Sequence, residues 1–257
     1  MKFSDLHVPA RYIWAKSGDS YGHGLLAHML DVAAVVEVLL QYEPSATLKW
    51  AAQQFGFPHE FCARWLAVLA GLHDFGKAIP GFQAKWPQGM AFDQSHGLSF
   101  PRHACSATNH SCATEVLLGK PLSELIEVDA DWLRHAIQAI SAHHGFHFMP
   151  SEIEAERPKC EPPEWAQTRQ SILHAYWQTL APQGAPCLDE LSLPAVNWLA
   201  GLTSVADWIA SNADWFPLGE RRDDLCAYYR HACLLAEQAL QHIRWRRSMQ
   251  MLLGAPT

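Results

Sequence analysis

The stretch from Trp65 to Lys77, WLAVLAGLHDFGK, limits what this chain can fold into more than any other. Leu66, Leu69, Ala70 and Leu72 recur at helical spacing, and the run closes on His73-Asp74 with Gly76 where a helix stops. A buried helix therefore delivers two ligand-type side chains at its tip. Successive helix residues point about 100° apart, so the two cannot grip one ion from one face, whereas the carboxylate can bridge two ions. Taken alone, the dipeptide also fits the plain end of a core helix. Its partners elsewhere in the chain decide.

The same pattern recurs. A helix expected over residues 25 to 41 carries the stripe Leu26, Met29, Leu30, Ala33, Val36 and Leu40, with His28 and Asp31 three apart near its start. His28 by itself reads as a hydrogen-bonded helix histidine or as a ligand. Arg102-His103 is expected to open a helix running to about residue 118, which points His103 into a cleft, while His110 reads as structural. From residue 129, Trp132, Leu133, Ala136, Ile137 and Ile140 lead into Ser141-Ala142-His143-His144-Gly145, a second apolar helix ending in ligand-type residues. A helix from residue 194 places Asp207 in the apolar run VNWLAGLTSVADWIAS, where a carboxylate is costly unless paired, hydrogen-bonded or bound to a cation. Lys77, three residues after Asp74, can reach back over the helix end to steady a phosphate or the carboxylate.

The remaining segments fit around these helices. Residues 1 to 24 read as irregular. The Gly- and Pro-punctuated stretch 78 to 102 reads as a functional loop, whose Phe82, Trp86 and Phe92 either stack on bases or pin the loop to the core. Residues 151 to 164 read as a surface excursion, followed by helices over 165 to 180 and from 225, the last turning basic at Arg244, Arg246 and Arg247. No β-alternation or internal repeat is present, so the expected class is all-α, one compact helical domain. With 257 residues and 49% apolar side chains the chain can bury a sizeable core.

Charge and cysteine content narrow the function. A formal charge of -7 excludes a basic nucleic-acid coat, so any polyanion must be held by local features such as bound divalent cations. The 15 histidines nearly match the 19 Lys plus Arg, which favours metal or proton chemistry. Seven cysteines without C-x-x-C spacing argue for a reducing compartment. The N-terminus lacks a signal pattern, and the most apolar run, VAAVVEVLL, is short and interrupted by Glu37. The expectation is a soluble cytoplasmic protein with no membrane association.

Collected, the ligand-type residues are His28, His73, Asp74, His103, His143, His144 and Asp207. They exceed the four ligands of a structural zinc and suit two ions sharing a carboxylate, about 3.5–4 Å apart in two-metal hydrolytic sites.

At these residues the chain resembles the HD superfamily of metal-dependent phosphohydrolases, and within it the HD nuclease domain of the helicase-nuclease of type I CRISPR systems. The matching strings are LLAHMLDVAAV, LAGLHDFGK with FQAKW after it, RHA, ISAHHGF and ADWIASN, spanning residues 12 to 216 or so. The resemblance implies an all-α HD-domain fold with its metal site at helix ends. It implies one ion on His28, His73, Asp74 and Asp207 and a second on Asp74, His103, His143 and His144. The ions would be manganese, iron, cobalt, nickel or magnesium. Asp74 and Lys77 would be catalytic, with Lys77 and Arg102 contacting the substrate. The family commonly has an acidic residue after Arg-His, and Ala104 stands there instead, which leaves any supporting role for that position in doubt.

In the family a helicase follows the nuclease, in cis or in trans, and feeds it single-stranded DNA opened by a crRNA-guided surveillance complex. The terminal GAPT is similar to the start of the helicase's phosphate-binding loop, without the G-x-G-K-T that would complete it. Residues 1–247 are thus expected to be the nuclease domain and 248–257 a truncated helicase start or linker, with no ATP hydrolysis. Two rival readings are an HD nucleotide phosphohydrolase, which needs an enclosed pocket, and a catalytically silent HD docking module, against which the full ligand set argues.

Overall fold

A computed structural model describes residues 1–19, 22–126, 128 and 130–245. The expected helicase start or linker at 248–257 lies outside the described residues, as do Arg246 and Arg247 of the basic cluster and residue 129, the expected start of one helix.

The core is assembled around a helix that is buried on nearly every side. This helix, α1 (Leu25–Tyr42), is long and apolar enough to cross a membrane by composition, but here it is enclosed by protein. Helices α3 (Cys62–Gly71), α10 (Leu193–Ala210) and α11 (Leu225–His242) pack around it, with α2 (Ser45–Phe55) against α3. Met29, Leu30, Ala33 and Val36 are fully buried, as a helix without a polar face requires. Each such large side chain contributes roughly 1.5–3 kcal/mol on leaving water.

The remaining helices complete an all-α domain: α4 (Pro80–Gln83), α5 (Pro87–Ser95), α6 (His110–Ser123), α7 (Ala130–Ser141), α8 (Pro150–Ala155) and α9 (Pro163–Leu180). A Cβ on Gly71 would lie 2.1 Å from Tyr176 Oη and 2.5 Å from the Met29 carbonyl. Only glycine lets α1, α3 and α9 approach this closely, and Gly71→Ala would push them apart. Tyr176 uses that proximity to donate to the Val68 carbonyl at 2.9 Å.

Three segments differ from expectation. Residues 1 to 24 contain a two-stranded antiparallel hairpin, β1 (Trp14–Lys16) and β2 (His23–Gly24), with Lys16 opposite His23 and a register irregularity between Trp14 and Lys16. Tertiary contacts shape it: Leu25 N–H donates to the Ile13 carbonyl, and the Gln83 side chain pairs with both the N–H and C=O of Trp14. The stretch 78 to 102 is partly helical, and Phe82 and Trp86 pin it by packing on Trp14 at 4.9 and 5.7 Å, leaving Phe92 exposed. The surface excursion at 151 to 164 includes part of the short α8.

Candidate metal centre

Two histidines are aimed by the same local device. Where α3 tightens into a 3₁₀ turn, Leu72–Lys77, His73 Nδ1 lies 3.0 Å from the Ala70 carbonyl, and after α7 His143 Nδ1 lies 2.7 Å from the Ile140 carbonyl. A carbonyl only accepts, so each Nδ1 carries the hydrogen and each Nε2 faces inward as the ligating nitrogen. Each helix ends one residue after the carbonyl that orients the ring, and the histidine follows that carbonyl by three.

The inward nitrogens converge on Asp74. Its Oδ2 faces His28 Nε2 at 3.2 Å, His73 Nε2 at 3.3 Å and Lys77 Nζ at 2.5 Å. Its Oδ1 faces His110 Nε2 at 3.2 Å and His143 Nε2 at 4.0 Å. Asp207 Oδ1 lies 3.1 Å from His28 Nε2 and 3.6 Å from His73 Nε2, with Lys16 Nζ at 3.5 Å. His144 completes the outer side, its Nε2 3.3 Å from that of His110. Two groups of potential ligands result: His28, His73, Asp74 and Asp207, all buried, and His110, His143 and His144, which opens toward solvent at the exposed His144.

Distance alone does not satisfy these atoms. His28 Nδ1 and Nε2, His73 Nε2, His143 Nε2 and both oxygens of Asp74 are buried without a hydrogen bond of acceptable geometry among the described residues. Leaving so many polar atoms unpaired is costly, and a divalent cation at each group would satisfy most of them together. The donor set, imidazole nitrogens with carboxylate oxygens, suits first-row transition metals.

The electrostatics point the same way. Burial pushes the Asp74 carboxyl up, but the charges of His73 and Lys77 and the close imidazoles of His110 and His28 hold it well below the usual carboxylate range. Asp207 is also lowered, burial being outweighed by His28 and His73. Burial lowers His73, yet the two carboxylates raise it to about 9. His143, buried beside His73, falls to about 3, and burial also lowers His28 and His110. Two buried carboxylates thus demand positive charge at one point, and a divalent cation meets that demand while leaving the imidazoles neutral, as ligation requires.

A supporting layer fixes the centre. Asp31, expected to share a face with His28, instead accepts from His23 Nε2 at 2.7 Å and Tyr228 Oη at 2.9 Å, and the His23 ring stands edge-on to His28 at 6.5 Å. Lys77 Nζ donates to the Ala15 carbonyl at 3.1 Å. Gly76 N–H donates to Thr114 Oγ1 at 2.8 Å, and a Cβ on Gly76 would lie 2.0 Å from the His110 carbonyl. The turn bearing His73 and Asp74 therefore rests directly on the first turn of α6.

That contact corrects one sequence-based assignment. His103 is exposed and belongs to neither group, and Arg102 is exposed beside it. His110 stands where His103 was expected. The segment after Pro101 forms a short 3₁₀ turn, Ala104–Ser106, and α6 starts only at His110, where the Asn109 side chain accepts from Ser111 and Cys112 N–H. Asn109 as a capping residue was the available signal, as was Ala104, the departure from the family pattern after Arg-His. The other expected residues, His28, His73, Asp74, Lys77, His143, His144 and Asp207, are brought together. Lys16 and His23 were not anticipated, since neither lies on a helix.

Comparison with known proteins identifies the fold and the family. The family model described as Cas3, HD domain, matches residues 14–216. The CRISPR-associated endonuclease/helicase Cas3 of Thermus thermophilus is 38% identical over 241 residues, covering 91% of this chain and 25% of that protein. The chain spans about a quarter of that relative's length. A crystal structure of the Thermus thermophilus cas3 HD domain in the presence of Ni2+ matches with a TM-score of 0.71 at 34% identity, over 92% of this chain and 91% of that one. A crystal structure of a CRISPR-associated protein matches with a TM-score of 0.80 at 29% identity, over 93% of this chain and 28% of that one. The matched segment contains every residue of both ligand groups, and on these grounds the chain belongs to the Cas3 HD domain family.

Proposed function

We propose that this chain is the nuclease part of a CRISPR helicase-nuclease and hydrolyses phosphodiester bonds of single-stranded DNA using two divalent ions. The observation that carries the reading is the division of Asp74, whose two oxygens face two different sets of imidazoles. His28, His73, Asp74 and Asp207 would hold one ion, and Asp74, His110, His143 and His144 the other. When bound, such ions supply Lewis-acid charge to both the attacking and the leaving oxygen of a phosphodiester.

The chain's own residues do the rest. Lys77, buried and braced between Asp74 and the Ala15 carbonyl, offers a fixed positive charge to a non-bridging phosphate oxygen. Lys16, partly exposed beside Asp207, offers a second, more adjustable one. The strand enters from the side of the exposed His144. Nickel, cobalt, manganese or iron suits the imidazole-rich groups better than magnesium, which prefers oxygen ligands. The partners that fit are a helicase region, in cis or in trans, and a crRNA-guided surveillance complex that exposes the single strand.

The test compares a labelled single-stranded oligonucleotide, its duplex and a panel of nucleoside monophosphates under each of these metals. Cleavage of the single strand ahead of the duplex, with the monophosphates intact, is expected. Phosphate release from monophosphates with the oligonucleotide untouched under every metal would replace this reading by a nucleotidase.

A further inference from the structure

A cavity of about 270 Å³ opens beside the β1–β2 hairpin, walled by Tyr12, Trp14, Trp86 and Phe92 with Gln88 and Arg221 at its mouth. Its size suits a single planar group rather than a large ligand. The rings are already arranged. Trp86 stands edge-on to Trp14 at 5.7 Å, while the Tyr12 and Phe92 planes lie within 17° of each other with centroids 6.5 Å apart. His96 stacks on Tyr12 at 3.7 Å and holds that ring in place. Two glycines make the arrangement possible: a Cβ on Gly22 would lie 2.8 Å from the Trp86 ring, and one on Gly89 only 2.4 Å.

The charge around the cavity is selective. No Asp or Glu lines it among the described residues, although the chain as a whole is acidic at -7. Arg221 is an exposed lining residue that forms no ion pair among the described residues, and its guanidinium lies over the Phe3 ring at 5.7 Å. Aromatic walls with a guanidinium in no ion pair fit a ligand that is planar at one end and anionic at the other.

The hairpin joins this cavity to the metal centre. His23 lines the cavity and, through the same ring, stands 6.5 Å from His28. Lys16, opposite His23 in the hairpin, reaches Asp207 at 3.5 Å. We propose that the cavity binds a nucleobase of the strand being cleaved, with Arg221 on an adjoining phosphate, so that Phe92, Trp86 and Arg221 hold the strand beside the centre. This rests on the single-strand nuclease reading. Ring faces stack on every base, so the cavity holds the strand without choosing sequence.

Phe92→Ala and Arg221→Ala test it in the 257-residue chain, because both side chains are exposed and their loss leaves the core intact. Three measurements are made on each: anisotropy of a labelled oligonucleotide with metal-free protein, steady-state cleavage of that oligonucleotide, and hydrolysis of bis(p-nitrophenyl) phosphate, a diester too short to reach from the centre into the cavity. Each variant is expected to raise Kd and KM for the oligonucleotide about tenfold, with kcat and the small-diester rate within about twofold of the parent. A 5-iodouracil oligonucleotide is expected to photocrosslink to peptides containing Tyr12, Trp86 or Phe92. Unchanged Kd and KM in both variants, or crosslinks confined to other surfaces, would overturn the proposal. A parent chain that hydrolyses neither diester under any metal counts instead against the nuclease reading, and the anisotropy and crosslinking still decide the cavity.

Discussion

His110 Nε2 stands 3.2 Å from Oδ1 of Asp74, the carboxylate oxygen that His28, His73 and Lys77 do not face. On the two-ion reading, a carboxylate approached from two sides by separate imidazole sets is shared. Asp74 is therefore the residue on which both halves of the centre depend.

Asp74→Ala is expected to remove both metal equivalents and to lower oligonucleotide cleavage by at least ~10²-fold, with the helical circular dichroism retained. Elemental analysis of the purified variant checks it. One equivalent retained at full affinity would show that the carboxylate does not bridge.

His110 and His103 make opposite predictions. His110→Ala should lose one equivalent of metal and most activity, whereas His103→Ala, altering an exposed side chain, should leave both within about twofold. Comparing metal content and cleavage rate for the pair distinguishes the two positions directly.

Lys77 touches a carboxylate oxygen and a backbone carbonyl, and an ammonium is not a metal ligand. Lys77→Ala should therefore lower kcat by ~10²–10³-fold with metal content nearly unchanged, because it removes charge stabilisation and not coordination. A loss of metal in proportion to activity would contradict that role.

Asp93, on α5, gives a pH signature separate from the centre. It is fully buried, neither oxygen has a hydrogen-bond partner among the described residues, and burial pushes its carboxyl up to about 8. The unfolded chain releases this proton near pH ~3.9, and the folded chain keeps it until about pH 8. Between those values the native state binds more protons, so stability falls as pH rises through that window. Asp93→Asn should flatten the decline. Denaturant unfolding at pH 5 and pH 8 measures it, and an equal decline in parent and variant would place the titration elsewhere.

How much of this was legible follows from where the information lies. His28, His73, Asp74, His143, His144 and Asp207 stand on or at the ends of apolar helices, so the pattern marked their places, and the resemblance to a family implied their role. His110 was harder. Its helix has mixed polarity, and recognising its start depended on reading Asn109 as a cap rather than on counting apolar positions. Lys16 and His23 lie on a hairpin with five strand residues held by Gln83 and Asp31, partners 69 and 8 positions away in sequence, so no local pattern announces them. The turn at 72–77 is similar: its close seat on α6 follows from Gly76, but which helix it meets does not.

The bond from Gly76 to Thr114 and the contact of that glycine with the His110 carbonyl tie the two halves of the centre together, but the halves differ in burial. The inner half, on α1, the 72–77 turn and α10, is buried throughout, whereas the outer half ends in an exposed imidazole just past the end of α7. On the two-ion reading, the inner metal should exchange slowly and survive dilution, and the outer one should come and go with the free concentration around it. Cleavage would then track that concentration while the fold persists, giving a nuclease whose turnover is throttled by metal supply.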